Sequence, residues 1–332
     1  MLRGVIERAY GVDMSLLTAA MKEGKLSWYT STGLEESQNL LAEFEKRFPF
    51  IRTEATKLTG GPLEERIRTE QARGDVGGDV VDFPGAGGWL PLDKAGAFEP
   101  FEPEGLEIWP TELQPFKPDG YAARVGEVAV GYNTKLVKHE EAKALASWDG
   151  MVDPKWKGKF AIADPNLVGS ISEAGYLVWK AKGDDWIAKL AALNPVLYNS
   201  NVPATDAITK GEQAVALVSS HFVANAYAKG APVGIAYPEP DTAFLGIVSV
   251  LKGAKHPNAA KLFITWLMSA EGQSMWSMAL GSPPLLPSGP DRRAIAAAPG
   301  YKRPPKYIYV DPPVYEKERP AFMAVWNKYF KK

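Results

Sequence analysis

Short apolar runs alternate with stretches of helical periodicity along this chain, and the alternation occurs twice. Lys25–Thr30 (KLSWYT) reads as a strand. After Ser31, Thr32 and Gly33, a helix is expected over 34–48, with Leu34, Leu41, Phe44 and Phe48 on its apolar face and Pro49 as its stop. Ahead of it, 13–24 predicts a helix capped by Asp13 and ended by Gly24. A strand at 53–58, a helix at 62–74 opened by Pro62, a strand at 79–83 (DVVDF) and a short helix at 85–96 complete the first series. The second series has strands at 160–164, 214–219, 233–237 and 244–251. Its helices are expected at 170–182, 184–193, 220–229, 256–268, 271–279 and 315–330. Such alternation implies α/β architecture, with mostly parallel sheets covered by helices on both faces.

At roughly 150 residues per domain, 332 residues suggest two domains. Two extended joins, 127–133 (EVAVGYN) and 237–246 (YPEPDTAFLG), make a two-segment hinge between two mixed α/β lobes. Lobe 1 is expected over 1–128 and 240–285, and lobe 2 over 129–239 and 286–332. Ligands of such sheets sit outside the carboxyl ends of the strands, and domain interfaces are favoured pocket positions. The formal charge of −1 gives no reason to expect nucleic acid or an anionic membrane as partner. With no cysteine, thiol catalysis, thiolate metal sites and disulfides are excluded. No apolar run reaches the roughly 18 residues that span a bilayer. Residues 1–10 lack the apolar core of a secretory signal, so either the chain is cytoplasmic or it is a mature form with an added start.

Catalytic signatures are missing. There is no GxSxG, since Gly169-Ser170-Ile171-Ser172 has the wrong register. Gly158-Lys159-Phe160 is not a Walker loop, and Gly85-Ala86-Gly87-Gly88 is not a dinucleotide fingerprint. His139, His221 and His256 stand apart from one another, and no calcium loop appears. No metal or other cofactor is expected. A two-lobed chain without catalytic motifs suits a binding protein.

Several segments, in order, resemble the periplasmic substrate-binding proteins of ABC importers, in particular the ferric-ion-binding, family 1 extracellular solute-binding branch. They are GKLSWYTST from Gly24, GDVVD from Gly78, LDKAG from Leu92 and VAVGYNTK from Val128. WKGK from Trp156, ADP from Ala163, KGE from Lys210, HPNAAK from His256 and SAEGQ from Ser269 follow, so the likeness runs from about Gly24 to about Pro287. It implies the two-lobed periplasmic-binding-protein fold (type II), capture of a solute between lobes, and delivery to an ABC permease in the inner membrane. It also implies periplasmic localisation, and a monomer is expected. Ferric-binding members carry a histidine or acid after the first strand, an acid after the third and paired tyrosines after the strand near Ser219. Here these places hold Ser31-Thr32-Gly33, Phe83-Pro84-Gly85 and His221-Phe222, which argues against iron.

The expected ligand is a small organic anion: a carboxylate, aromatic or not, or a phosphonate or phosphate. Thr30, Ser31 and Thr32 lie between a strand and a helix start, where hydroxyls and N–H groups either hold an anion or cap the helix. Gly169, Ser170 and Ser172 open a helix in the same way. Asn201 sits at a strand end, as amide ligand or turn former. Arg124 offers a bidentate carboxylate partner or an interdomain salt bridge. Ser220 and His221 offer donors, Phe222 a stacking face and Phe83 an apolar wall. Trp89 reads better as core. Asp241 lies in the second join, as ligand contact or hinge. The competing readings are an α/β enzyme such as a transferase on the same fold and a chemosensory binding protein.

Overall fold

The computed structural model describes residues 12–106, 109, 111–283, 285, 293–298, 301–304 and 306–330. The elements in chain order are α1 (Met14–Glu23), β1 (Lys25–Thr30), α2 (Leu34–Arg47), β2 (Arg52–Lys57), α3 (Gly60–Arg73), β3 (Val80–Pro84), α4 (Ala86–Lys94) and β4 (Tyr121–Asn133). There follow α5 (His139–Ala144), α6 (Trp148–Met151), β5 (Phe160–Ala163), α7 (Gly169–Lys182), α8 (Asp184–Ala192), β6 (Val196–Tyr198) and α9 (Asn201–Lys210). The rest are β7 (Val215–Ser219), α10 (Ser220–Ala228), β8 (Val233–Ala236), β9 (Ala243–Val250), α11 (Pro257–Leu267), α12 (Ala270–Leu280) and α13 (Pro312–Phe330). The chain forms two compact units: unit 1 is 1–124 with 245–280, and unit 2 is 125–244 with 281–332. The long β4 and β9 therefore each carry the chain across a unit boundary.

In unit 1 the strand order is β2-β1-β3-β9, with β9 antiparallel to β3. Asp13 caps α1 by accepting the Ser15 N–H at 2.6 Å, and Gly24 ends the helix at φ +66°. The core is aromatic: Trp28, Phe44 and Phe263 are fully buried, and the Phe44 and Phe263 rings meet edge to face at 5.0 Å. Each such burial contributes about 1.5–3 kcal/mol. Leu34, expected on that apolar face, is instead 42% exposed. It is the first helical residue and projects from the helix start, and Leu40 takes its place in the core.

Unit 2 has the order β4-β7-β5-β6, with β8 also paired to β4. Its strands separate two apolar cores by alternation along most of their length. Val128, Val130, Phe160, Ile162, Val215 and Leu217 enter one, while Ala129, Ala161, Ala216 and Val218 enter the other. The first core also takes Tyr315, Phe322 and Trp326 of α13, which packs against α7 and α8. Among the described residues, no helix is long and apolar enough to cross a membrane.

Candidate functional site

In unit 1, the loop leaving β1 meets the end of β3. The Ser31 N–H donates to Asp82 Oδ1 at 3.0 Å, and the Ser31 hydroxyl donates to Asp82 Oδ2. Arg124 reaches the same point from β4: Nη2 lies 3.4 Å from Ser31 Oγ and 3.8 Å from Asp82 Oδ2. Gly246 makes room for it, because a Cβ there would fall 2.4 Å from Arg124 Cγ. Behind this pair, the hydroxyls of Thr30, Thr32 and Ser37 form a buried triangle at 2.5–3.1 Å. Burial dominates both charged groups. It holds the Asp82 carboxyl above the usual carboxylate range, against the pull of Arg124 and Ser31, and it lowers the Arg124 guanidinium.

Capping does not account for Ser31 and Thr32, since the N-cap of α2 is Gly33. Phe83 is buried against Phe98, and Trp89 stacks on Phe98 while its Nε1 donates to Ser249 Oγ at 2.8 Å. Both residues therefore belong to the unit 1 core.

In unit 2, three loops converge at β7. Ser170 Oγ and Ser219 Oγ are 3.1 Å apart, and the Asn201 side chain accepts the Ser219 N–H at 3.0 Å. Asn201 is thus not in a turn but opens α9 and braces the β7–α10 corner. His221 and Phe222 follow on α10, half-buried, with ring centroids 4.1 Å apart. Gly169 is the first residue of α7. Ser172 points elsewhere: its hydroxyl accepts from Tyr315 OH at 2.9 Å and Arg319 Nε at 3.3 Å, fully buried against α13.

Ser220 donates at 2.7 Å to Glu127 Oε2, a buried carboxylate that the sequence alone does not single out. Tyr237 OH also donates at 2.7 Å, Arg293 Nη1 at 2.8 Å and Tyr307 OH at 2.6 Å, and Arg293 Nη2 donates to Tyr301 OH at 2.7 Å. Burial and the neighbouring Glu127 push the Tyr237 and Tyr307 hydroxyls well above their ordinary range. Asp241 lies apart from this network, 8% exposed, on a cavity of about 230 Å³. Burial first, then Glu239 and Glu127, raise its carboxyl to about 7.

One feature links the strand ends. Among the described residues, α2, α3, α4, α7, α9 and α10 each follow a strand, and none takes a hydrogen bond from its N-cap side chain. In α2 the Glu36 carboxylate folds back over Gly33. By contrast, Asp13 caps α1, Ser147 caps α6 at 3.0 Å, and the Glu23 carboxylate accepts the Asn258 and Ala259 N–H groups of α11 at 3.2 and 2.7 Å. At these helix starts the N-cap residue's own side chain supplies no acceptor oxygen. Among the described residues, no group of three or more His, Asp or Glu side chains could hold a metal ion.

Comparison with known proteins agrees with this architecture. The chain is 29% identical over 192 residues to an uncharacterized protein of Haemophilus influenzae, a match covering 55% of this chain and 56% of that one. It therefore spans little more than half of that relative's length. Iron-bound HitA from Pseudomonas aeruginosa superposes with a TM-score of 0.75 at 23% identity, covering 92% of this chain and 99% of that one. The substrate binding protein of an ABC transporter from Agrobacterium tumefaciens gives 0.78 at 20% identity, covering 92% and 94%. AfuA from Actinobacillus pleuropneumoniae, with exogenous fructose-6-phosphate bound, gives 0.71 at 22% identity, covering 93% and 99%. At these identities the structures establish the fold alone, the mixed α/β fold of periplasmic binding proteins. The profile of bacterial extracellular solute-binding proteins matches residues 39–303. Taken with that fold, the match shows that the chain belongs to the bacterial extracellular solute-binding protein family.

Proposed function

We propose that this chain is the solute-capturing component of an ABC importer, working in the periplasm and delivering a small organic anion to an inner-membrane permease. The observation that carries the reading is Arg124, held beside Ser31 at the carboxyl ends of β1 and β3, where helix starts lack N-cap oxygens. A guanidinium, hydroxyls and helix N-termini together suit a carboxylate, phosphonate or phosphate. Ser170, Ser219 and the His221–Phe222 pair give unit 2 its own donors and an aromatic face. AfuA binds a sugar phosphate and HitA binds iron. The strand-end loops of this chain, rich in Ser, Thr and Gly, favour the anion over ferric ion. Closure of the two units on the solute belongs to this reading.

Calorimetric titration with carboxylates, phosphonates, sugar phosphates and ferric citrate tests it. One organic anion is expected to bind stoichiometrically, with loss of affinity in Arg124→Met and a smaller radius of gyration on saturation. Stoichiometric iron retained after desalting, with a visible absorption band, would overturn the ligand while leaving the transport role. Turnover of the bound compound would favour the enzyme reading.

A further inference from the structure

The cavity beside Asp241 lies wholly within unit 2. Its walls come from the end of β4, helix α5, β8 with the segment to Asp241, and residues 302–304. Asp241 is 8% exposed. Apart from its own N–H, no described residue hydrogen-bonds its carboxylate or stands in an ion pair with it. A buried carboxylate without a partner is costly, so a cavity at its face is a place for a donor.

The sign of that donor follows from the surroundings. Glu239 and Glu127 oppose the ionised form of Asp241, while Lys302 and the residue's own N–H favour it. The other basic groups on the wall are committed or exposed. Lys143 Nζ holds Glu140 at 2.9 Å, Arg303 hydrogen-bonds the Tyr307 hydroxyl, and His139 is solvent-exposed. Tyr132 and Tyr237 supply aromatic lining, and the Tyr237 hydroxyl is turned to Glu127. A compact cation with N–H donors fits this arrangement, because it satisfies Asp241 and Glu239 while resting on ring and aliphatic carbon.

We propose that this cavity binds a small primary ammonium compound, with Asp241 as its counter-ion and Glu239 as a second acceptor. The site needs no residue of unit 1 and does not rest on the anion reading. Binding requires ionised Asp241, so affinity rises as pH increases through about 7, where burial and the two glutamates have placed its carboxyl.

The test is calorimetry on the full chain with methylammonium and putrescine, and with tetramethylammonium as a cation lacking N–H donors. One-to-one binding of at least one primary amine is expected. It should be at least tenfold tighter at pH 8.5 than at pH 5.5 and at least tenfold tighter than tetramethylammonium. Asp241→Asn, checked for native circular dichroism and cooperative unfolding, is expected to lose at least tenfold in affinity. Ala146→Phe, a substitution at the exposed rim of the cavity, should obstruct it to a similar degree and decides the matter if Asp241→Asn fails to fold. No saturable amine binding at pH 8.5, or unchanged affinity in a folded cavity variant, overturns the proposal.

Discussion

Arg124 and Glu127 stand three residues apart on β4, both buried, and each is answered by an opposite charge within its own unit. In unit 1 the strand supplies the guanidinium, and Asp82 meets it no closer than 3.8 Å, with Ser31 Oγ at 3.4 Å. In unit 2 the strand supplies the carboxylate, and four donors close on it at 2.6–2.8 Å. A carboxylate has about four acceptor positions, so Glu127 is saturated, whereas Asp82 takes its short contacts from the Ser31 N–H and hydroxyl and stands 3.8 Å from Arg124 Nη2. Burial and charge are common to both pairs and do not distinguish a binding group from a brace. The number of donors gathered on one carboxylate does: Glu127 ties Ser220, Tyr237, Arg293 and Tyr307 to one point of unit 2, while Arg124 of the unit 1 pair is the group that the proposed function gives to the solute.

The largest expected effect comes from breaking the saturated pair. Glu127→Ala leaves a buried guanidinium and three hydroxyls without their acceptor, and is expected to cost about 3–5 kcal/mol in urea unfolding. A loss below about 1 kcal/mol would mean that the network is not structural. Breaking the unit 1 pair is expected to act the other way round. Arg124→Met should weaken the anion roughly 10–100-fold, the effect of losing a hydrogen bond to a charged group. Its cost in stability should be smaller than that of Glu127→Ala. Burial already favours a protonated Asp82, so the carboxyl left behind can take a proton instead of remaining a bare buried charge. Equal losses of stability in the two variants would erase the distinction.

What was legible in the sequence tracks how local the signal is. β1 coincides with the run read from alternation, and α1 with its Asp13 and Gly24 caps. Helix α9 has no clear signal in the sequence, because Pro203 and two preceding asparagines look like a turn; Pro is tolerated there in the first helical turn, where its missing N–H has no partner to lose. Asp82 was hidden inside the apolar run DVVDF, where an acid reads as noise until β1 and β4 bring Ser31 and Arg124 to it. Glu127 has its partner 166 residues away, so no spacing in the sequence could pair them. The serines at Ser170 and Ser172 looked equivalent as helix openers. They differ because their positions in the first turn of α7 aim one at β7 and the other at α13.

The pH dependence of stability extends the comparison to a third carboxylate. Asp241 titrates near 3.9 when unfolded and at about 7 in the fold. Between these values the native state binds more protons, so this group's contribution makes stability fall as pH rises from about 4 to about 7. Asp241→Asn is expected to flatten that part of the curve, measured by urea unfolding at pH 4, 5.5 and 7. An unchanged slope would show that the carboxyl is not raised.

The smallest effects separate the two serines of α7. Ser172→Ala removes the acceptor of Tyr315 OH and Arg319 Nε, and should cost about 1 kcal/mol of stability through the docking of α13. Because that hydroxyl is enclosed by α13, anion affinity should stay within twofold of the parent chain. Ser170→Ala removes only one neutral contact, 3.1 Å to Ser219 Oγ, and should change stability by less than about 1 kcal/mol. Its hydroxyl lies in the uncapped first turn of α7 beside the β7–α10 corner, so a several-fold loss of anion affinity is expected there and not at Ser172. The reverse pattern, with Ser172→Ala weakening the anion and Ser170→Ala silent, would move the unit 2 contact away from β7 and toward the face of α7 that carries α13.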